Sequence, residues 1–195
     1  MVKRVLRLDS PATKFIARRH GLTPARRLGR GTFCAVYEGD SPESVWKLTA
    51  DDVQRESALF HYNSPCFPKL LEDCGYVGDQ GEQPLWLFKT ERLQPLRQSS
   101  ADVRKEARFL MQRFSVNFEA ALDQGFSAHA EEFCAQVVAL MMEDSSVEPY
   151  HEAMGQLYNV LTNYPGARLD LHSGNLMARG DQLVLNDIVC NTTLL

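Results

Sequence analysis

The sequence predicts an α+β chain of two unlike halves, and three observations carry that expectation. Before about residue 95, β-favouring runs separated by glycine, proline and serine turns count to a five-stranded antiparallel sheet with one main helix. From Ser99 onward, apolar residues recur at three- and four-residue spacing, the period of amphipathic helices. Near the end, Leu169 to Met177 and Leu183 to Asp187 read as loop, strand, turn and strand, with polar side chains at the ends of apolar strands. Three segments follow: a basic extension with a short helix over 1–27, the sheet region over 28–93, and a mostly helical region over 94–195.

The first segment opens with charge. Lys3, Arg4, Arg7, Lys14, Arg18, Arg19, Arg26, Arg27 and Arg30 face only Asp9, although the whole chain has a net charge of −4. A basic arm can bind nucleic acid or an acidic partner, or complement its own acidic remainder. No aromatic stacking set accompanies these charges, which favours the last reading over nucleic acid. Ser10-Pro11 is an N-cap followed by proline at the first helical position, and Gly21 suits the C-terminal cap. A helix from Pro11 to His20 is expected, docked beside the sheet through Phe15 and Ile16.

The sheet segment starts at a glycine hairpin, Leu28 to Gly39, in which Gly29 and Gly31 precede Phe33, Val36 and Tyr37. Such a hairpin brings backbone N–H groups close to a phosphate without interference from a Cβ. Ser44 to Thr49 is an apolar strand carrying a single lysine, Lys47, and Asp51 or Asp52 caps a helix reaching about His61 that contains Glu56. A strand region from Cys66 continues through Val77, a turn is expected over Gly78 to Gly81, and Leu85 to Phe88 is a buried strand running out through Thr90, Glu91 and Leu93.

In the helical segment, Ser99/Ser100 cap a helix whose apolar face is Val103, Ala107, Leu110, Met111 and Phe114. Phe133, Val137, Val138, Leu140 and Met141 make a second stripe. Met154, Leu157, Tyr158 and Leu161 make a third, ending near Pro165-Gly166. These stripes are core. Asp170, Asn175 and Asp187 remain. Unpaired carboxylates avoid strand ends in an apolar setting, and a hard divalent cation such as Mg²⁺ would supply the missing partner.

Composition limits the alternatives. The chain has 195 residues, 44% of them hydrophobic, enough for one domain or two small lobes sharing a cleft. No apolar run reaches the roughly 18 residues of a membrane span, and no secretory leader is expected. Five scattered cysteines without a C-x-x-C suggest reduced thiols in a cytoplasm, and five dispersed histidines predict no zinc site.

Taken in order, these elements resemble the protein-kinase-like superfamily. The pattern G-x-G-x-F-x-x-V-Y spans Gly29 to Tyr37, then come the strand Lys47, the helix Glu56, and Asp170, Asn175 and Asp187 at catalytic-loop and metal-site spacing. The Asp170 to Asn175 element, the Gly180-Asp181 hairpin and Phe67-Pro68 are similar to the early Ser/Thr protein kinases of T-odd coliphages (podoviruses). The resemblance implies ATP and Mg²⁺ as cofactors and host proteins, modified in a bacterial cytoplasm during infection, as substrates. It implies that Asp170 handles the acceptor hydroxyl and that Asn175 and Asp187 hold the metal. Lys47, fixed by Glu56, and the backbone of Gly29, Arg30, Gly31, Thr32, Phe33 and Cys34 would hold the phosphates. Glu91 and Leu93 would offer backbone groups to adenine, with Thr90 bordering the inner pocket.

The chain departs from the pattern in four places. Cys34 replaces a third glycine, Leu169 stands where an arginine usually precedes the catalytic Asp, Ile188-Val189 replace Phe-Gly, and few residues follow Asp187. The expectation is an enzyme that needs no activating phosphorylation. The resemblance leaves open a small-molecule phosphotransferase and an inactive kinase-like module that binds and inhibits a host protein. Oligomeric state is not specified by any of these features.

Overall fold

The computed structural model describes residues 6–61, 64–130 and 132–192; Lys3 and Arg4 of the basic extension lie outside them. The first half is a five-stranded antiparallel sheet: β1 (Arg27–Arg30), β2 (Cys34–Glu38), β3 (Ser44–Thr49), β4 (Leu70–Gln80) and β5 (Gln83–Glu91), in the order β1-β2-β3-β5-β4. Strand β3 is central and buried on both faces, with Val45 on one side and Leu48 on the other.

Helix α1 (Pro11–Arg19) forms as its caps require. The Ser10 hydroxyl accepts from the Thr13 amide, and Gly21 leaves the helix at φ +68°. Ile16 and Ala17 pack with Ala35, Tyr37, Leu48, Leu85 and Leu87. Phe15 does not share this contact: it is 68% exposed, because one helical residue is roughly 100° around the axis from the next. Gly78 explains how the helix comes so close to β4, since a Cβ there would lie 2.8 Å from Ile16 Cδ1. Strands β4 and β5 run longer than expected. Register shifts at three points let Gly75 and Gly78 remain inside β4, and the chain reverses at Gly81, φ +67°, rather than over Gly78 to Gly81.

Helix α2 (Asp52–Phe60) is capped by Asp51, whose Oδ1 accepts from the Gln54 amide at 3.2 Å. It buries Val53 and Ser57. Three longer helices build the second half: α3 (Ala101–Asp123), α4 (Phe133–Glu143) and α5 (His151–Asn163). Ser100 caps α3, and the apolar face runs past Phe114 through Asn117 and Ala121. Leu110, Val138, Met141, Met154 and Leu157 are fully buried where the three helices meet, while Tyr158 lies on the outer face of α5.

Five short strands complete the described residues, β6 (Gln94–Pro95) between β5 and α3, and β7 (Ala167–Leu169), β8 (Leu176–Arg179), β9 (Gln182–Leu185) and β10 (Val189–Asn191) after α5. β8 and β9 form the expected hairpin, turned by Gly180 at φ +59°, with β6 added on its edge. β7 pairs with β10, so the stretches before Asp170 and after Asp187 are neighbours. All five cysteines are free thiols. Among the described residues, no helix is long and apolar enough to cross a membrane.

Candidate functional site

A cleft of about 660 Å³ separates the sheet from the β8–β9 hairpin. Its apolar wall includes Leu28, Val36 and Val45 from the sheet and Met177 from β8. Thr90, Glu91 and Leu93 line its edge at the end of β5, and Lys47, Asp187, Glu43, Arg92 and Arg97 add charged groups, with the neutral amide of Asn186 beside Asp187. That size lies within the range of small-molecule and cofactor sites.

Lys47 sits in the middle of the sheet, opposite Val36 on β2 and Phe88 on β5, and is 4% exposed. An ammonium this deep needs partners. Its Nζ donates to Asp187 Oδ1 at 2.6 Å and to Asn186 Oδ1 at 3.0 Å. Asp187 has φ +50° and is the one non-glycine residue in the left-handed region among those described. Such a backbone costs on the order of 1–2 kcal/mol and persists where the surroundings over-determine it.

Asn175 does much of that. Its Nδ2 donates to the Asp187 carbonyl at 2.8 Å, to the Asp170 carbonyl at 2.7 Å and to Asp170 Oδ2 at 3.1 Å. The Asn186 amide donates to the Asn175 carbonyl, and the Asp170 amide to the Ile188 carbonyl, each at 2.8 Å. Asp170, Asn175 and Asp187 are therefore brought together, with Lys47 joined through Asp187. The Asp170 side chain stays 48% exposed, open to an incoming group. His172 Nδ1 accepts from the Gly174 amide at 3.0 Å, shaping the turn between Asp170 and Asn175.

The glycine hairpin meets the cleft only partly. Gly29 lines it, whereas Arg30, Gly31 and Thr32 are exposed and the Gly31 amide donates to the Cys34 carbonyl at 2.8 Å. A Cβ at Gly29 would meet nothing within 4 Å, and one at Gly31 would meet just the Cys34 carbonyl at 3.8 Å. The fold itself therefore leaves both glycines open space. The Phe33 carbonyl accepts from the Ala50 amide and the Thr49 hydroxyl, which anchors the hairpin. Cys34 is buried rather than loop-facing. Burial, with a smaller contribution from the nearby Asp187 carboxylate, pushes its thiol up to about 12, so it is not a nucleophile at neutral pH.

One expected contact is corrected. Glu56 does not reach Lys47: its Oε1 accepts from Arg55 Nη1 at 2.6 Å and its Oε2 from the Tyr164 hydroxyl at 3.3 Å. Arg55 is itself held by Asp73 and lies 5.0 Å over the Trp86 ring. The reason is helical phase. The face of α2 towards Lys47 carries Gln54, Ser57, Ala58 and His61, and Glu56 is roughly 200° from Gln54. Glu91 lines the cleft as expected, with its side chain turned back into the fold. Its amide donates to the Lys69 carbonyl at 3.0 Å, and its carboxylate accepts from the Lys69 amide and from Arg179, whose Nε is at 2.9 Å. Leu93 and Thr90 keep their places at the cleft, and Thr90 Oγ1 is buried without a hydrogen-bond partner.

Sequence reasoning missed Asn186, Arg179 and Gln54. Asn186 adjoins a singled-out aspartate, but nothing in the spacing marks it as a lysine partner. Arg179 ends a strand like any surface arginine. The donor set that results is two carboxylates and an amide, with no cluster of three His, Cys, Asp or Glu among the described residues. Such a set suits a hard cation that takes its other ligands from water and phosphate oxygens. No family model matches the chain, and no curated protein matches its sequence.

Proposed function

We propose that this protein is an ATP- and Mg²⁺-dependent phosphotransferase of the protein-kinase-like type, acting on Ser/Thr hydroxyls of host proteins as podovirus kinases do. In this reading, the five-stranded sheet with α2 is a kinase N-lobe, the helical half is a reduced C-lobe, and the segment through Glu91 to Leu93 is the hinge. The observation that carries it is that Asn175 joins Asp170 to Asp187, and Asp187 holds Lys47, at a cleft with Leu28, Val36, Val45 and Met177 in its wall.

The residues fit nucleotide and metal. Leu28, Val36, Val45 and Met177 suit a flat ring, and the unpartnered Thr90 hydroxyl borders that space. The open ground beside Gly29 and Gly31 leaves room for phosphates. Mg²⁺–ATP would supply the transferable phosphoryl group and the charge that neutralises it. Lys47 would hold phosphate oxygens, and Asp187 with Asn175 would hold the cation. Asp170, held by Asn175 yet half-exposed, orients the acceptor hydroxyl and takes its proton. Rate enhancement then comes from positioning and preorganised charge.

The test is purified protein with labelled ATP and Mg²⁺ in a bacterial lysate. Label in protein bands, lost in Asp170→Ala, is the expected result. Label in a small metabolite would replace the substrate class, and no label at all would sink the reading.

A further inference from the structure

Behind Lys47 lies a second, smaller cavity of about 30 Å³, between α2 and β9–β10. It is lined by Lys47 and Asp187 on one side, Gln54, Ser57 and His61 on the α2 side, and Thr90. Three polar atoms of these residues are buried without a hydrogen bond: Gln54 Oε1, His61 Nε2 and Thr90 Oγ1. Buried polar atoms are normally satisfied, so three around one small space need an explanation.

The hydrogen-bond accounting on Lys47 points to one. An ammonium has three N–H donors and no acceptor. Asp187 and Asn186 take two of them. Gln54 Oε1 is an acceptor without a donor, on the helix that faces Lys47, in the same cavity. Glu56, on another face of that helix, is occupied by Arg55 and Tyr164. We propose that Gln54 positions the Lys47 ammonium from the α2 side, directly or through one water in the cavity they share, and that Glu56 has no part in it. This rests on the phosphotransferase reading for its role in nucleotide binding, though not for the contact itself.

The cavity suits the arrangement. Its volume exceeds the 10–15 Å³ or so that one water needs, and such a water would have two to four polar partners. His61 Nδ1 lies 3.1 Å from the Ser57 hydroxyl, and its ring stacks on Phe67 with centroids 3.8 Å apart. Burial pushes the His61 imidazole down to about 4, so no second positive charge faces Lys47 at neutral pH. A neutral amide also has an advantage over a carboxylate there. When phosphates lie beside Lys47, Gln54 keeps accepting without adding a negative charge to repel them.

The contact is tested on nucleotide-free protein by double-mutant cycles in urea, pairing Lys47→Met with Gln54→Leu, Glu56→Leu and Thr90→Val in turn. Gln54→Met stands in if Gln54→Leu does not fold. A coupling of about tenfold in the folding equilibrium constant is expected with Gln54, roughly 1.4 kcal/mol, and less than twofold with Glu56. Coupling larger at Glu56 or Thr90 than at Gln54 overturns the proposal. The role is tested by calorimetry with Mg²⁺–ATP: Gln54→Leu should bind about tenfold more weakly, Gln54→Glu should stay well below wild type because it keeps the acceptor but adds a charge that repels phosphate, and Glu56→Gln should bind as wild type. Coupling without any loss of nucleotide affinity in Gln54→Leu overturns the positioning role. If wild type itself binds no nucleotide, the phosphotransferase reading fails, and the cycles alone decide the Gln54 contact.

Discussion

Cutting the Lys47–Asp187 pair from one side should cost far more than cutting it from the other. The two side chains are 5% and 22% exposed, so the lysine is the deeper partner. Asp187→Ala leaves a buried ammonium with Asn186 as its remaining acceptor of the two, and removing one partner of a buried pair costs about 3–5 kcal/mol. Partial exposure of Asp187 places this case near the lower figure, about 3 kcal/mol. Alanine must then hold φ +50°, a strain that Asp187 already bears, so the backbone adds little to the loss. Lys47→Met instead leaves a carboxylate that water can reach and that lies 3.2 Å from Asn186 Nδ2, for a loss of about 1–2 kcal/mol. Urea denaturation should therefore rank Asp187→Ala as the less stable by about 1–2 kcal/mol, and its melting temperature should fall by roughly 10 °C. Asp187→Gly, free of the backbone penalty, should regain part of the loss. Lys47→Met added to Asp187→Gly should restore stability, since it removes the stranded charge. A larger loss for Lys47→Met than for Asp187→Ala, or simple additivity in the double variant, would refute the claim that burial of the ammonium controls this site.

Three further outcomes follow from the geometry. Asp170→Ala should abolish phosphoryl transfer while changing stability and nucleotide affinity little, because the side chain is half-exposed; a transfer assay beside a melting curve checks both. Asp187→Asn should weaken Mg²⁺-dependent nucleotide binding more than Asp170→Asn, and equal losses by calorimetry would mean that the two roles are misassigned. His61 should make folding acid-sensitive: its folded-state value near 4 lies below the ordinary 6.5, so its contribution is complete above about pH 6.5 and drains away as pH falls towards 4. Between pH 7 and pH 5 this amounts to about 2 kcal/mol, and the difference should shrink in His61→Phe, which can keep the stack on Phe67.

Elements with strong local chemistry were legible in the sequence. Ser10-Pro11 and Gly21 bound α1 correctly, the apolar run Ser44 to Thr49 is β3 to the residue, and Gly180-Asp181 marks the β8–β9 turn. Asp170, Asn175 and Asp187, singled out by their spacing, lie within hydrogen-bonding reach of one another, with Lys47 bound to Asp187. Features set by long-range packing were not legible. The three-residue strands β7 and β10 have no pattern of their own and exist because each supplies the other's partner. Phe15 and Glu56 show the same limit on helices. Both residues have the right type in the right element, but a nine-residue helix offers several faces, and only the sheet beneath decides which one turns inward. The pairing of the Glu91 carboxylate is equally non-local, since nothing near it in the sequence marks an arginine 88 residues later as its partner.

That arginine also constrains how the cleft can move. Arg179 ties the hairpin to Glu91 at the end of β5, and its remaining N–H groups reach the Pro65 carbonyl at 2.7 Å and the Phe67 carbonyl at 2.8 Å. Lys47 holds Asp187 and Asn186 across the same cleft, and Asn191 is bonded to Asp51 and Asp52. The ties therefore run along a line through β5, β3 and the start of α2. A motion that spares them is left to the β1–β2 hairpin, whose outer strand lies three strand spacings, roughly 14 Å, from β5. The glycine edge becomes the door of the cleft, and the sheet from β3 to β5 its fixed jamb.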